Sequence, residues 1–154
     1  MFERILVCLD GSKLAEQILP YATEQALKFE SKVTLLQVMT IPSSVSAGAG
    51  AAVGTGGIME EESQRQEADM RAYLDSVGQD LLKKGVSTDY VVLQPSPPGE
   101  AIVTYARANT IGLICIATHG RSGLGRAVFG SVADYVLRES GLPILLIKPK
   151  EART

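Results

Sequence analysis

Arg4-Ile5-Leu6-Val7-Cys8-Leu9-Asp10-Gly11-Ser12 decides how this chain folds. Five consecutive apolar residues, Ile5 to Leu9, stop at an Asp-Gly-Ser triplet whose chemistry is that of a turn. A continuous apolar run, rather than an alternating one, is expected of a strand covered on both faces. Ser12 can then cap a helix whose apolar positions Ala15, Ile18, Leu19, Ala22, Ala26 and Phe29 recur at helical spacing. Pro20 interrupts that helix by removing a backbone donor and crowding the preceding turn, so a kink or a late start is expected.

The same strand-then-helix unit repeats outward from this stretch. Further short apolar runs lie at Val33–Val38, Tyr90–Leu93, Leu113–Ala117 and Ile144–Ile147, and all five are expected to be buried strands. Gln66, Met70, Tyr73, Leu74, Val77 and Leu81 trace one face of a long helix closed by Gly85. A shorter helix is expected from about Gly99 to Asn109, and a last one from Gly130 to about Ser140, with Gly141 and Pro143 beyond it. The order βαβαβαβαβ predicts an α/β fold, a single-domain three-layer sandwich around a parallel sheet. Residues 42–57, rich in Ser, Ala and Gly, offer almost nothing to anchor in a core and read as a mobile loop, either a tolerated insertion or a lid over a ligand.

Bulk properties narrow the function. The chain has 154 residues, the length of one domain covering 1–154, with 45% hydrophobic and 21% charged residues. A net charge of -2 gives no general attraction to nucleic acid or to anionic lipid. No apolar run approaches the roughly 20 residues that span a bilayer, so a cytoplasmic protein with no membrane partner is expected. Cys8 and Cys115 each sit inside an apolar run and read as core thiols, and two cysteines with a single histidine make a poor metal site.

The chemistry gathers between the fourth strand and the last helix, in Ala117-Thr118-His119-Gly120-Arg121-Ser122-Gly123-Leu124-Gly125-Arg126-Ala127-Val128-Phe129-Gly130-Ser131. Loops of this kind emerge at the carboxyl ends of parallel strands, where ligands bind at the point of strand-order reversal. Glycines admit a phosphate close to the backbone, and the free N–H groups at Gly130-Ser131 favour an anion. Arg121 and Arg126 can add charge-assisted bonds, or simply be solvated. His119, the only histidine, has no neighbouring cysteine or carboxylate in sequence to orient it as a base. No lysine and hydroxyl pair follows the last glycine as in a Walker loop, and no Gly-x-Ser-x-Gly elbow is present.

These residues resemble the universal stress proteins, whose ATP-binding members carry Gly-x-x-Gly, nine residues, then Gly-Ser or Gly-Thr. Gly120, the nine residues Arg121 to Phe129 and Gly130-Ser131 stand at that spacing, while Ala117 replaces the first glycine. The likeness runs from Arg4-Ile5-Leu6-Val7 to Leu142-Pro143-Ile144-Leu145-Leu146-Ile147-Lys148, leaving out the long loop. It implies a five-stranded parallel sheet of order 3-2-1-4-5, a homodimer paired through the fifth strand, and ATP as ligand, alone or with magnesium. It also implies nucleoside contacts at Asp10 and Val38, with Gly120, Gly130 and Ser131 around phosphate and ribose. The full set assigned to the nucleotide is Asp10, Gly11, Ser12, Val38, Ala117, His119, Gly120, Arg121, Gly123, Gly130, Ser131 and Val132, with no catalytic residue. Asp10 also has a plain role as a helix cap or Asx-turn.

Three functions stay open. The leading one is an ATP-binding regulatory or stress-response module with little or no hydrolysis. An enzyme that adenylates a substrate would need signature motifs that the chain does not display. A nucleotide-free dimeric scaffold is kept open by Ala117, and cyclic AMP is an alternative ligand.

Overall fold

A computed structural model describes residues 1–40, 56–118 and 130–150, with only the backbone of 56–59. The elements are β1 (Arg4–Cys8), α1 (Lys13–Glu16), α2 (Leu19–Phe29), β2 (Lys32–Val38), α3 (Gly56–Lys83), β3 (Thr88–Leu93), α4 (Pro98–Ala108), β4 (Leu113–Ala117), α5 (Ser131–Glu139) and β5 (Ile144–Ile147). All neighbouring strands pair in parallel, in the order β3-β2-β1-β4-β5.

Strand alternation sorts the apolar residues into two cores. Ile5, Val7, Val33, Leu35, Leu113 and Cys115 pack under Ile18, Ala22, Leu74 and Leu81 of the α1–α3 layer. Leu6, Cys8, Leu36, Ile114 and Ile116 pack under Ile102, Val103 and Ala106 of α4 and Ala133 and Val136 of α5. The three layers expected of the sequence are therefore present. The expectation of five fully buried strands needs correction, because β3 and β5 are the sheet edges: Tyr90 is 36% exposed and every residue of β5 is only partly covered.

Helix boundaries follow local chemistry. The break at Pro20 is real: α1 ends at Glu16, and α2 starts afresh with Pro20 in its first turn, where a missing N–H costs nothing. Glu30 ends α2 in the left-handed region at φ 52°, and the Ser31 N–H closes the turn on the Ala26 carbonyl at 2.9 Å. Gly85 (φ +88°) and Gly141 (φ +65°) do the same work after α3 and α5. Residues 42–55 of the segment expected to be a loop lie outside the described residues, while residues 56 and 57 already belong to α3. Among the described residues, no helix is long and apolar enough to cross a membrane.

Candidate functional site

The sheet order reverses between β1 and β4. After β1 the chain turns to the α1 face, and the helix following β4 lies on the opposite face, which makes the carboxyl ends of β1 and β4 the switch point at which open α/β sheets bind ligands. One side of it is the Asp10-Gly11-Ser12 turn. The Asp10 carboxylate accepts the Ser12 backbone N–H at 2.9 Å, and the Ser12 Oγ accepts the Ala15 N–H at 3.1 Å. Gly11 between them has φ +82°. Asp10 thus makes the Asx-turn, and the cap of α1 falls to Ser12.

The other side is the start of α5. Gly130 is its N-cap, with φ -64° and ψ 157°, and has no side chain of its own to cap the helix. The first-turn N–H groups have no capping side chain among the described residues, which is the arrangement that receives an anion. Ser131 is exposed and Val132 is half-buried against the α4/α5 core. Val38 ends β2 on that same face. Cys8 pairs with Leu36, so Asp10 and Val38 each stand two residues beyond a matched pair and reach the same sheet end.

Ala117 ends β4 in register with Ile147 and is 9% exposed. It follows Leu113 and Cys115 on the α1 side of the sheet by alternation, so its methyl is turned away from the α5 side. The next residue, Thr118, is buried and donates its N–H to the Ile147 carbonyl at 2.9 Å. Of the residues assigned from sequence, the structure brings Asp10, Gly11, Ser12, Val38, Ala117, Gly130, Ser131 and Val132 to one end of the sheet. His119, Gly120, Arg121, Gly123 and Arg126 lie outside the described residues.

Gln37 escaped the sequence reading. It is 5% exposed, its Nε2 lies 3.4 Å from where a Gly11 Cβ would stand, and its Oε1 is buried without a hydrogen-bond partner among the described residues. A lone amide inside the apolar run Val33–Val38 was the available signal. Both thiols are buried, Cys8 in the α4/α5 core and Cys115 in the α1–α3 core, on opposite faces of the sheet. Burial pushes the Cys115 thiol up to about 12, and burial with the neighbouring Cys115 raises Cys8 as well. No cluster able to hold a metal ion occurs among the described residues.

Sheet order and helix start together define a doubly wound α/β protein whose strand order reverses between β1 and β4. The chain belongs to the universal stress protein family, which it matches over residues 1–148. It is 27% identical to universal stress protein Sll1388 of Synechocystis over 96% of this chain and 98% of that one. Its fold superposes on protein MJ0577 of Methanocaldococcus jannaschii with a TM-score of 0.81 at 22% identity, covering 99% of both chains. A universal stress protein in complex with cAMP gives a TM-score of 0.65 at 20% identity, covering 96% of this chain and 97% of that one.

Proposed function

We propose that this chain is an ATP-binding universal stress protein, a regulatory nucleotide-binding module that turns over its ligand slowly or not at all. The observation that carries the reading is the α5 N-terminus at Gly130-Ser131, without a capping side chain among the described residues and set at the sheet end where the order reverses. In this reading the α5 first turn takes phosphate, aided by the Ser131 hydroxyl, and Asp10 and Val38 meet the nucleoside. Gly120, Gly123, His119 and Arg121 complete the cradle on the strength of the glycine pattern alone. Ala117 does not close the site, because its methyl is directed to the α1 side.

Two readings compete. The fold is shared with a universal stress protein in complex with cAMP, which favours a cyclic nucleotide as the second choice. A nucleotide-free scaffold is the third. Calorimetric titration with ATP and with cyclic AMP separates them. ATP should bind the parent, and Gly130→Asp should abolish binding by setting a carboxylate against phosphate at the helix start. Ser131→Ala should weaken it by about 1 kcal/mol, the net worth of one hydrogen bond. Equal ATP binding by Gly130→Asp and parent removes α5 from the site, and a parent that binds neither nucleotide leaves the scaffold.

A further inference from the structure

Beyond Ile147 the chain turns back onto α1 and is held there by Gln17. The Gln17 side chain donates its Nε2 hydrogen to the Lys150 carbonyl at 2.8 Å and accepts the Lys150 backbone N–H on Oε1 at 2.9 Å. Both bonds go to one residue, so the amide grips Lys150 as a residue of a neighbouring antiparallel strand would. The contact joins positions 133 apart in sequence. Strands β1 and β5 run parallel with β4 between them, so the segment after β1 and the tail after β5 leave the same end of the sheet.

What the tail holds is α1. A helix of four residues depends on its surroundings, since isolated helices shorter than about 12–15 residues are marginal in water. Ala15 and Ile18 are buried and set how deep the segment lies in the α1–α3 core. Ser12 caps the start of α1 by accepting the Ala15 N–H, and Gln17 is the residue that ends it. The Asp10 carboxylate in turn accepts the Ser12 N–H. Hydrogen bonds and one helical turn thus connect Lys150 to the Asp10-Gly11-Ser12 turn without a gap. The grip on Lys150 is exposed, and water competes for both of its groups, so its net strength is small and the tail can let go.

We propose that Gln17 is a positioning residue for the nucleotide site: with Lys150 it forms a reversible strap that sets α1, and through Ser12 the Asp10 turn, in the geometry that meets the nucleoside. The proposal rests on the reading of Asp10 as a nucleoside contact. Coupling of this kind is reciprocal, so nucleotide favours the closed strap by the same factor by which the closed strap favours nucleotide. The tail acts through its backbone, and the Lys150 side chain takes no part in the grip.

The test is amide hydrogen exchange by NMR on the full chain, with and without saturating ATP, beside calorimetric titration with ATP. Gln17→Ala should speed exchange of the Lys150 amide about tenfold and of the Ala15 amide about threefold relative to the amides of β1, and should weaken ATP binding about threefold. Lys150→Pro, which lacks the N–H but leaves Gln17 in place, should do the same to Ala15 and to ATP. Lys150→Ala keeps both backbone groups and should match the parent. In the parent, ATP should slow Lys150 exchange about threefold, a change that a merely structural contact would not show. Lys150 exchange that ignores bound ATP, parent affinity in Gln17→Ala or Lys150→Pro, or unchanged Ala15 exchange in those variants each overturns the proposal. A parent that binds no ATP removes the nucleotide reading, and with it the site that the strap would position, while Ala15 exchange separately shows whether the tail holds the turn.

Discussion

Gly99→Ala should lower stability and, on the proposed reading of the α5 start, nucleotide affinity as well. An added Cβ would stand 2.8 Å from the Tyr135 Cβ and 2.9 Å from its Cγ and Cδ1. Carbon atoms rest about 3.5–4.0 Å apart, so the shortest contact is too close by about 0.7 Å. The Tyr135 Cβ is fixed by the α5 backbone, and no rotamer of the ring removes that contact; α4 and α5 must move apart. Overpacking of this kind costs about 1–3 kcal/mol, the upper part of that range where the clashing atom is fixed by backbone, while the better helix propensity of alanine returns at most about 1 kcal/mol, so the contact wins by up to about 2 kcal/mol. For a chain of this length that lowers Tm by up to about 6 °C in scanning calorimetry. Because α5 starts at Gly130-Ser131, its displacement also moves the first-turn N–H groups, and ATP affinity should fall further than in Ser131→Ala. Tyr135→Ala removes the ring contacts but leaves the Cβ, so it should rescue only in part. A Gly99→Ala protein with the parent's Tm or a higher one would refute the argument, because it would mean that the two helices slide freely.

The turn at φ +82° predicts that Gly11→Ala loses about 1–2 kcal/mol in urea unfolding, with Gly11→Asn losing less because asparagine tolerates the left-handed region; equal stability of all three proteins contradicts this. Burial of Cys8 and Cys115 predicts that neither thiol reacts with a disulfide reagent at neutral pH until urea unfolds the chain, and rapid native labelling contradicts it. Their folded pKa values lie above the ordinary 9.0, so the unfolded state ionises first and this contribution to stability is present below about pH 9 and lost above it; a urea midpoint that rises from pH 8 to pH 10 goes against that sign. The half-covered edge strand β5, Ile144 to Ile147, should pair with a second copy into a symmetric dimer, and light scattering that finds only monomer at high concentration removes the idea.

The interior of the sheet was legible because a buried parallel strand is written as an uninterrupted apolar run. Leu113–Ala117 and Ile144–Ile147 were read to the residue, the first run to within one residue at each end and the second to within one at its start. The third strand begins at Thr88, earlier than its apolar run, because an edge strand can carry the exposed Asp89 in its ladder, where Lys32 meets it at 2.7 Å. Apolarity alone does not tell an edge strand from a central one; that distinction comes from crossover order. The long helix starts ten residues before its periodic face because residues 60–65, Glu-Glu-Glu-Ser-Gln-Arg, form a polar run in which no apolar period can show.

The site divides along the same physical line. Asp10-Gly11-Ser12 and Gly130-Ser131 could be found because turn and helix-start chemistry is local, each residue acting within three positions of itself. Gln37 could not, since its neighbour Gly11 is reached only through the pairing of β1 with β2. Ala117 is the most instructive case. As a letter in a motif it is a missing glycine and an argument for an empty site. As the last residue of a strand whose Leu113 and Cys115 face α1, it carries a methyl that is turned from the helix start proposed to hold phosphate. Its backbone lies outside the positive-φ region, where only Glu30 and Thr110 stand among the described non-glycine residues, so glycine is not required there for conformation either. Ala117→Gly should therefore leave ATP affinity unchanged and cost roughly 0.5–1 kcal/mol of stability through the extra freedom of the unfolded chain. A tenfold gain in affinity on restoring the glycine would show that the methyl does obstruct the ligand, and the assignment of faces at the end of β4 would have to be reversed.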